Sequence, residues 1–239
     1  MKMKKGLLTM LALLSMGSVF AQDFTVPDAR VVTARKGVLQ VKLTSETTYR
    51  DLQFDLALPT GISLVTEAAS PESPDVTNVK AGAEGHVIAY NAVEDGKVRF
   101  AVYDPNEGKT FTTDVLIEIP VQASEEFTAD AVAHVSGLVA SDADAKSLAK
   151  DNFDFNIIMN LLGDVNEDGK VNVTDILAVA SRIKGTSTTP FNEGAANYNN
   201  DASINVTDIL GIAAIIKGGS ASAKAFSVEI PIEDTLDPQ

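Results

Sequence analysis

A short stretch of the chain carries oxygen-bearing side chains at a regular spacing. Counted from its first aspartate, positions 1, 3, 5, 7, 9 and 12 are Asp164, Asn166, Asp168, Lys170, Asn172 and Asp175. Calcium takes about six to eight oxygen ligands, and a tight loop with this spacing turns alternate side chains inward while position 7 offers its backbone carbonyl. Gly169 at position 6 permits the sharp backbone turn that such a loop needs. The stretch therefore predicts a calcium site.

A second stretch repeats this spacing 33 residues later, with two departures from the first. Its corresponding residues are Asn197, Asn199, Asp201, Ser203, Asn205 and Asp208. Asn197 stands where the first loop has an aspartate, which removes one negative charge from the ligand set. Ala202 replaces glycine at position 6, which strains the turn if the backbone there requires a positive φ. We therefore expect two calcium ions, with the second bound more weakly.

Two other interpretations account for some of the same residues. Asp, Asn and Gly are common in turns and at helix N-termini, where they need no metal. Asn172 and Asn205 each begin an Asn-x-Thr sequence, which is a glycosylation acceptor in some secreted proteins. The repetition of the whole ligand spacing before two matching helices favours calcium over both alternatives.

Each loop leads into an apolar segment that is predicted to be a helix. The sequence from Val171 to Leu177 returns with few changes from Ile204 to Leu210, and each helix is followed by a Lys-Gly stop. The residues expected on the buried face of the first helix are Ile176, Leu177, Val179, Ala180 and Ile183. The duplication predicts two loop-helix units that bury their apolar faces against each other, because neither unit is stable alone.

The region before the loops has the alternation of β-strands. Apolar and polar residues alternate from Gly37 to Leu43, from Leu52 to Leu58 and from Lys97 to Tyr103, with turn-forming residues between such runs. This pattern predicts an antiparallel β-sandwich. The residues assigned to its core are Phe54, Leu56, Leu58, Phe100 and Val102. Leu64 to Gly85, which is rich in Pro, Ser, Ala and Glu, is predicted to be a surface loop.

The N-terminus and the composition indicate export. The first 21 residues contain three lysines, then an apolar run, then small residues up to Ala21, which is the pattern of a cleavable signal peptide. The chain of 239 residues has a formal charge of -14, and removal of the three leader lysines from 19 basic residues leaves 16 against 33 acidic ones. Nucleic acid and anionic membranes are therefore disfavoured as partners. With no cysteine, the fold cannot rely on disulfides.

These features divide the chain into four predicted parts. Residues 1–21 are the signal peptide, 22–160 the β-sandwich, 161–218 a small all-α calcium-loop module and 219–239 an acidic tail without an assigned role. Few residues separate the sandwich from the first loop, so the two modules are expected to abut.

The duplicated segments DVNEDGKVNVTDIL and NYNNDASINVTDIL, each followed by a helix with a Lys-Gly end, resemble the type I dockerin family over about Leu162 to Gly218. The resemblance implies a module that binds two calcium ions and docks a cohesin-type protein module in extracellular polysaccharide-degrading assemblies. It also implies that loop positions 10 and 11 guide partner choice, which here are Val173, Thr174, Val206 and Thr207. Because the two pairs are identical, the resemblance allows docking in two orientations related by a half-turn.

The N-terminal region resembles a cohesin-like sandwich, an Ig-like jelly roll, through Leu52 to Ile62 and Gly96 to Tyr103. The fold class predicted for the chain is therefore a mainly β sandwich followed by a small all-α dockerin module. Such sandwiches also occur in some carbohydrate-binding modules, so the fold alone does not decide the function.

The predicted function is that of a secreted, noncatalytic adaptor that docks a cohesin-type partner, at the cell surface or outside the cell. One alternative is a carbohydrate-binding protein of a polysaccharide-utilisation system, although the chain has no Trp to stack on a sugar ring. Another is a glycoside hydrolase accessory enzyme, although no nucleophile stands in a recognisable motif. The identity of the partner and of any glycan is left open by the sequence.

Overall fold

A computed structural model describes residues 23–67, 70–74, 80–81, 85–106, 108–186 and 189–218. The predicted signal peptide and acidic tail lie outside these residues and stay predictions. The strands are β1 (Phe24–Thr25), β2 (Ala29–Val32), β3 (Lys36–Leu43), β4 (Tyr49–Ala57), β5 (Ile62–Leu64), β6 (Thr66–Glu67), β7 (Ser70–Pro74), β8 (Lys80–Ala81), β9 (Val87–Ala92), β10 (Val98–Tyr103), β11 (Val115–Ala123), β12 (Ala131–Asp142), β13 (Ser147–Ala149) and β14 (Phe153–Asn160). The helices are α1 (Val173–Ile183), α2 (Glu193–Ala196) and α3 (Val206–Ile216).

The strands form two main sheets that share one hydrophobic core. The smaller sheet has the order β1-β3-β11-β5, with β8 also paired to β11, and the larger has the order β2-β14-β12-β4-β10-β9, with β13 paired to β12. Among the described strands, β2 and β14 pair in parallel and the other neighbours are antiparallel. The consecutive strands β1 and β2 belong to different sheets, so the N-terminal segment crosses from one layer to the other. The predicted β-sandwich followed by a small helical module is confirmed.

The core of the sandwich follows the predicted alternation. Phe54 of β4 stands opposite Phe100 of β10, and the two buried rings stack with their centroids 5.5 Å apart. Leu56 and Val102 are buried on the same strands, while Leu58 is partly buried against the core. Period-two patterning therefore located these strands and their inward faces correctly.

The segment from Leu64 to Gly85 contains more regular structure than predicted. Strands β6 and β7 pair with each other, and β8 pairs with β11 at the edge of the smaller sheet. The surface-loop prediction is wrong for these residues. Short edge strands are held by backbone hydrogen bonds and need no alternating apolar side chains, so periodicity does not reveal them.

The calcium-loop module has its own small core between α1 and α3. Its buried residues are Val165, Ala178, Val179, Ala196 and Ile212. The face predicted for α1 is only partly correct, because Leu177 and Ile183 are exposed. Asp175 takes the buried side of the first turn instead, and Leu177, two residues further on, is thereby rotated about 200° away from it. Within the described residues, no helix is long and apolar enough to cross a membrane.

Candidate metal centre and docking surface

Asp164 begins the first loop as a fully buried carboxylate held by the loop backbone. Its Oδ1 accepts a hydrogen bond from Asp168 N at 3.1 Å, and its Oδ2 accepts one from Gly169 N at 3.0 Å. Burial raises the pKa of Asp164, and the charges of Asp175 and Asp168 raise it further against the lowering effect of these amides. Two buried carboxylates, those of Asp164 and Asp175, therefore lie close enough to repel each other, and a bound cation would offset this repulsion.

Asp175 closes the loop by joining its two ends. Its Oδ1 accepts from Val165 N at 2.8 Å and from Asn166 N at 3.1 Å, while its Oδ2 accepts from Asn172 N at 2.8 Å. Asp208 does the same in the second loop, with Asn199 N at 3.3 Å and Asn205 N at 2.8 Å. The sequence predicts both aspartates as ligands, and that prediction did not include this role in closing the loop. The signal for this role in the sequence is the capping-box spacing of Asn172 and Asp175.

Asn197 provides the clearest test of whether the second loop fits a cation. Its side-chain Nδ2 donates to the Asp201 carbonyl at 2.7 Å, but its Oδ1 is buried without a hydrogen-bond partner. A buried acceptor without a donor is costly, and a cation at the loop centre would satisfy it. The residue thus offers an unused oxygen at position 1, where the calcium spacing requires a ligand.

The backbone of the second loop does not require a positive φ at Ala202. Both loops place a positive φ at position 4, at Glu167 (60°) and Asn200 (58°), and the first loop has another at Gly169 (83°). Ala202 is not in the left-handed region, so the condition under which it would strain the turn is not met. Because the side chain of Asn197 donates to the carbonyl of residue 201, it does not hold the loop amides as Asp164 does.

Positions 9 and 11 of each loop serve the following helix. Asn172 Oδ1 accepts from the amide and the hydroxyl of Thr174, both at 2.8 Å, and thereby caps α1. Asn166 Nδ2 donates to the same hydroxyl at 2.9 Å. The second loop repeats the arrangement with Asn205, Thr207 and Asn199. The N-cap interpretation is therefore also correct, and the ligand roles of Asn172 and Asn205 stay predictions.

The oxygen atoms that each loop could offer to a cation come from different kinds of chemical group. At position 7, Lys170 N donates to Asp168 Oδ1 at 2.9 Å and Ser203 N to Asp201 Oδ1 at 2.7 Å, and their carbonyls as ligands stay predictions. In the part of the chain that is described, no group of three His, Cys, Asp or Glu side chains converges as a metal cluster. Amides, backbone carbonyls and separate carboxylates together form the kind of ligand set that calcium accepts.

The two helices carry a matched set of exposed apolar residues. Val173 and Leu177 of α1 are 60% and 59% exposed, and their counterparts in α3, Val206 and Leu210, are 60% and 65% exposed. Ile183 and Ile216 form a third exposed pair, and Thr174 and Thr207 lie beside the valines. We call these eight residues the helix-pair surface. The structure thus places all four predicted partner residues in solvent.

The two repeats differ at one pair of equivalent positions in the helical core, and the changes in side-chain size at these two positions compensate each other. In the second repeat, Tyr198 packs so closely on Gly211 that a Cβ at residue 211 would lie 2.1 Å from a ring carbon. The equivalent residues of the first repeat are Val165, which is smaller than the tyrosine, and Ala178, which is larger than the glycine. The exchange of sizes keeps the two helices in register around one core.

We expect Gly211→Ala to destabilise the calcium-loop module by about 1–3 kcal/mol, because the added methyl group overpacks the contact with Tyr198. Thermal unfolding followed by far-ultraviolet circular dichroism would measure the change. The double variant Gly211→Ala with Tyr198→Val restores the pairing of the first repeat and should recover most of the loss. Equal melting temperatures for the parent chain and the single variant would show that the contact is not tight.

Comparison with known proteins agrees with this geometry. Residues 162–217 match the family model for the dockerin type I domain, which confirms the resemblance of the two loop-helix repeats. Type I dockerin domains bind calcium, while the number of ions and their ligands in this chain stay predictions. No match was found among curated proteins.

Solved structures to which the chain is similar include several cohesin modules. One belongs to a family 33 glycoside hydrolase of Clostridium perfringens, with a TM-score of 0.45, 12% identity and coverage of 58% of this chain and 96% of that chain. Another is the sixth cohesin of scaffoldin B from Acetivibrio cellulolyticus, solved in complex with a Cel5 dockerin, with a TM-score of 0.45, 14% identity and coverage of 58% and 99%. A third is a non-cellulosomal cohesin from the archaeon Archaeoglobus fulgidus, with a TM-score of 0.40, 15% identity and coverage of 57% and 91%.

Proposed function

We propose that the chain is a noncatalytic adaptor whose calcium-loop module docks a cohesin-type module of another protein. The observation that carries this proposal is the helix-pair surface, which sets equivalent apolar residues in solvent on both helices of a segment that matches a dockerin domain. Single exposed apolar residues are normal on a protein surface, whereas grouped ones are typical of an interaction site.

The chemistry of this surface indicates an apolar partner face. The hydroxyl of Thr174 donates to Asn172 Oδ1 and accepts from Asn166 Nδ2, so it is occupied within its own loop. Thr174 therefore offers mainly its methyl group, next to the side chains of Val173 and Leu177. A complementary partner would bury these groups and exclude water from them.

Calcium would support docking by holding α1 and α3 in place. The acidic loops precede both helices directly, and Asp175 and Asp208 lie in the first turn of each. A bound cation would offset the repulsion among these carboxylates and hold each helix against its loop. Metal binding, module folding and docking are then one linked equilibrium.

The wider setting of the adaptor is extracellular. Cleavage after Ala21 would release a strongly acidic protein, and a docked partner would keep it in a polysaccharide-degrading assembly or at the cell surface. The alternative of sugar binding by the sandwich depends on exposed rings. Tyr49 is buried, while Tyr103 is exposed on β10 and is the tyrosine available for such a contact.

A calcium-dependent pull-down tests the proposed function. The full chain serves as bait for the secreted proteins of the source organism, and bound proteins are identified by mass spectrometry. We expect a cohesin-containing protein to be retained with calcium and released by chelator. Retention of the same proteins by a Leu177→Asp, Leu210→Asp bait would contradict docking through the helix-pair surface. Retention that persists in chelator would contradict its dependence on calcium.

A further inference from the structure

The β-sandwich and the calcium-loop module share a buried contact at the turn between β2 and β3. Arg35 in this turn is only 8% exposed, and its Nη2 donates to the backbone carbonyl of Tyr198 at 3.1 Å. Tyr198 is position 2 of the second loop. An arginine is seldom buried without a specific partner, so this contact is a built part of the fold.

Asn192 joins the sandwich to the first loop. Its Nδ2 donates to the carbonyl of Arg30 in β2 at 2.8 Å and to Glu167 Oε1 at 2.9 Å, where Glu167 is position 4 of the first loop. Its Oδ1 caps α2 through Ala195 N at 2.9 Å, and its own amide donates to the carbonyl of Val165 at 2.8 Å. One buried side chain thus connects β2, α2 and the first loop.

Helix α2 lies directly against the sandwich backbone. A Cβ on Gly194 would stand 2.4 Å from the carbonyl oxygen of Lys36, so only glycine permits this approach. Asn160 at the end of β14 adds another link, because its Nδ2 donates to the carbonyl of Asp164 at 2.9 Å. Helix α2 has four residues and is too short to be stable in water, so its order depends on these contacts.

We propose that the end of β2 and the turn that leads into β3, from Arg30 to Lys36, form a built-in support that holds the segment between the two calcium loops, and that this contact and calcium occupancy stabilise each other. Arg35 contacts position 2 of the second loop, and Asn192, which is itself held by Arg30, contacts position 4 of the first loop. Neither contact uses the side chain of a predicted ligand. If the contact orders the loops for calcium, then calcium must strengthen the contact by the same factor. This linkage rests on the proposed calcium binding, whereas the support itself does not.

Gly194→Ala tests the support with a single methyl group. The residue is not in the left-handed region, so alanine suits the helix and the expected damage comes from the Lys36 carbonyl alone. Gly108→Ala is the matched control, because a Cβ there would have Asn106 O at 3.8 Å as its nearest neighbour. Asn192→Asp is a second variant that keeps the cap on α2, but it replaces the donor to Arg30 O and Glu167 Oε1 by a carboxylate oxygen that both acceptors repel.

Hydrogen exchange in the metal-free full chain is measured first. We expect the amides of α2 to exchange about tenfold faster in Gly194→Ala than in Gly108→Ala, and also faster in Asn192→Asp. Equal exchange in all three variants and the parent chain would overturn the support.

Calcium titration calorimetry then measures the linkage. We expect the affinity of at least one loop to fall by about tenfold in Gly194→Ala and to be unchanged in Gly108→Ala. Faster exchange without any loss of affinity would overturn the linkage. A parent chain that binds no calcium would overturn the calcium part of the proposed function, and the metal-free exchange would still decide about the support.

Discussion

Asp164→Ala should lower the calcium affinity of the first loop by about a hundredfold or more. The substitution removes a buried charge from the predicted ligand set, and a buried ionic interaction that loses one partner typically costs about 3–5 kcal/mol. It also removes the two hydrogen bonds that organise the loop through Asp168 N and Gly169 N. The larger effect is expected from the charge, because the carboxylate has no nearby substitute at position 1.

The second loop supplies the matched control at its own position 1. Asn197→Asp adds the missing carboxylate where the buried amide oxygen has no partner, so calcium should bind this loop more tightly than in the parent chain. Titration calorimetry on the parent chain and both variants measures the two sites together. We expect a tight and a weak site in the parent, loss of the tight one in Asp164→Ala, and two tight sites in Asn197→Asp. Two equal sites in the parent chain would contradict the predicted order.

The loops and the sandwich core could be predicted from the sequence because their signals are local. Ligand spacing is read within twelve residues, and the inward faces at Phe54 and Phe100 follow from alternation along single strands. The exposure of Leu177 was missed because helical periodicity treats apolar residues as buried. Here a carboxylate, Asp175, claims the inner face, since it must reach back to the loop.

The contact between the two modules could not be predicted from any pattern. Arg35 and Tyr198 are 163 residues apart, and a single arginine in a turn gives no sign of its partner. Gly194 looks like an ordinary loop glycine, although its role is to let α2 approach Lys36. Abutment was predicted from the short connection, but the residues that make the contact are known only from the folded chain.

Loss of docking should require changes in both helices. Leu177→Asp places a charge on α1, and a partner in the opposite orientation would still find Leu210 on α3, so the single variants should lose binding by only a few fold. The double variant Leu177→Asp, Leu210→Asp should lose at least about thirtyfold, because either orientation then lacks a central apolar contact, which typically accounts for about 2 kcal/mol or more.

Leu177 and Leu210 can be replaced without a large loss of stability, because their side chains are exposed. Both are more than half exposed, so replacing them should alter the free energy of unfolding by no more than about 0.5 kcal/mol. Val38→Asp is the control, since Val38 is 50% exposed on β3 of the sandwich and lies outside the helix-pair surface. Surface plasmon resonance with the captured cohesin module compares all variants in calcium. If one single variant alone abolished binding, the two helices would not be interchangeable, and the partner would read the module in one orientation despite its repeated sequence.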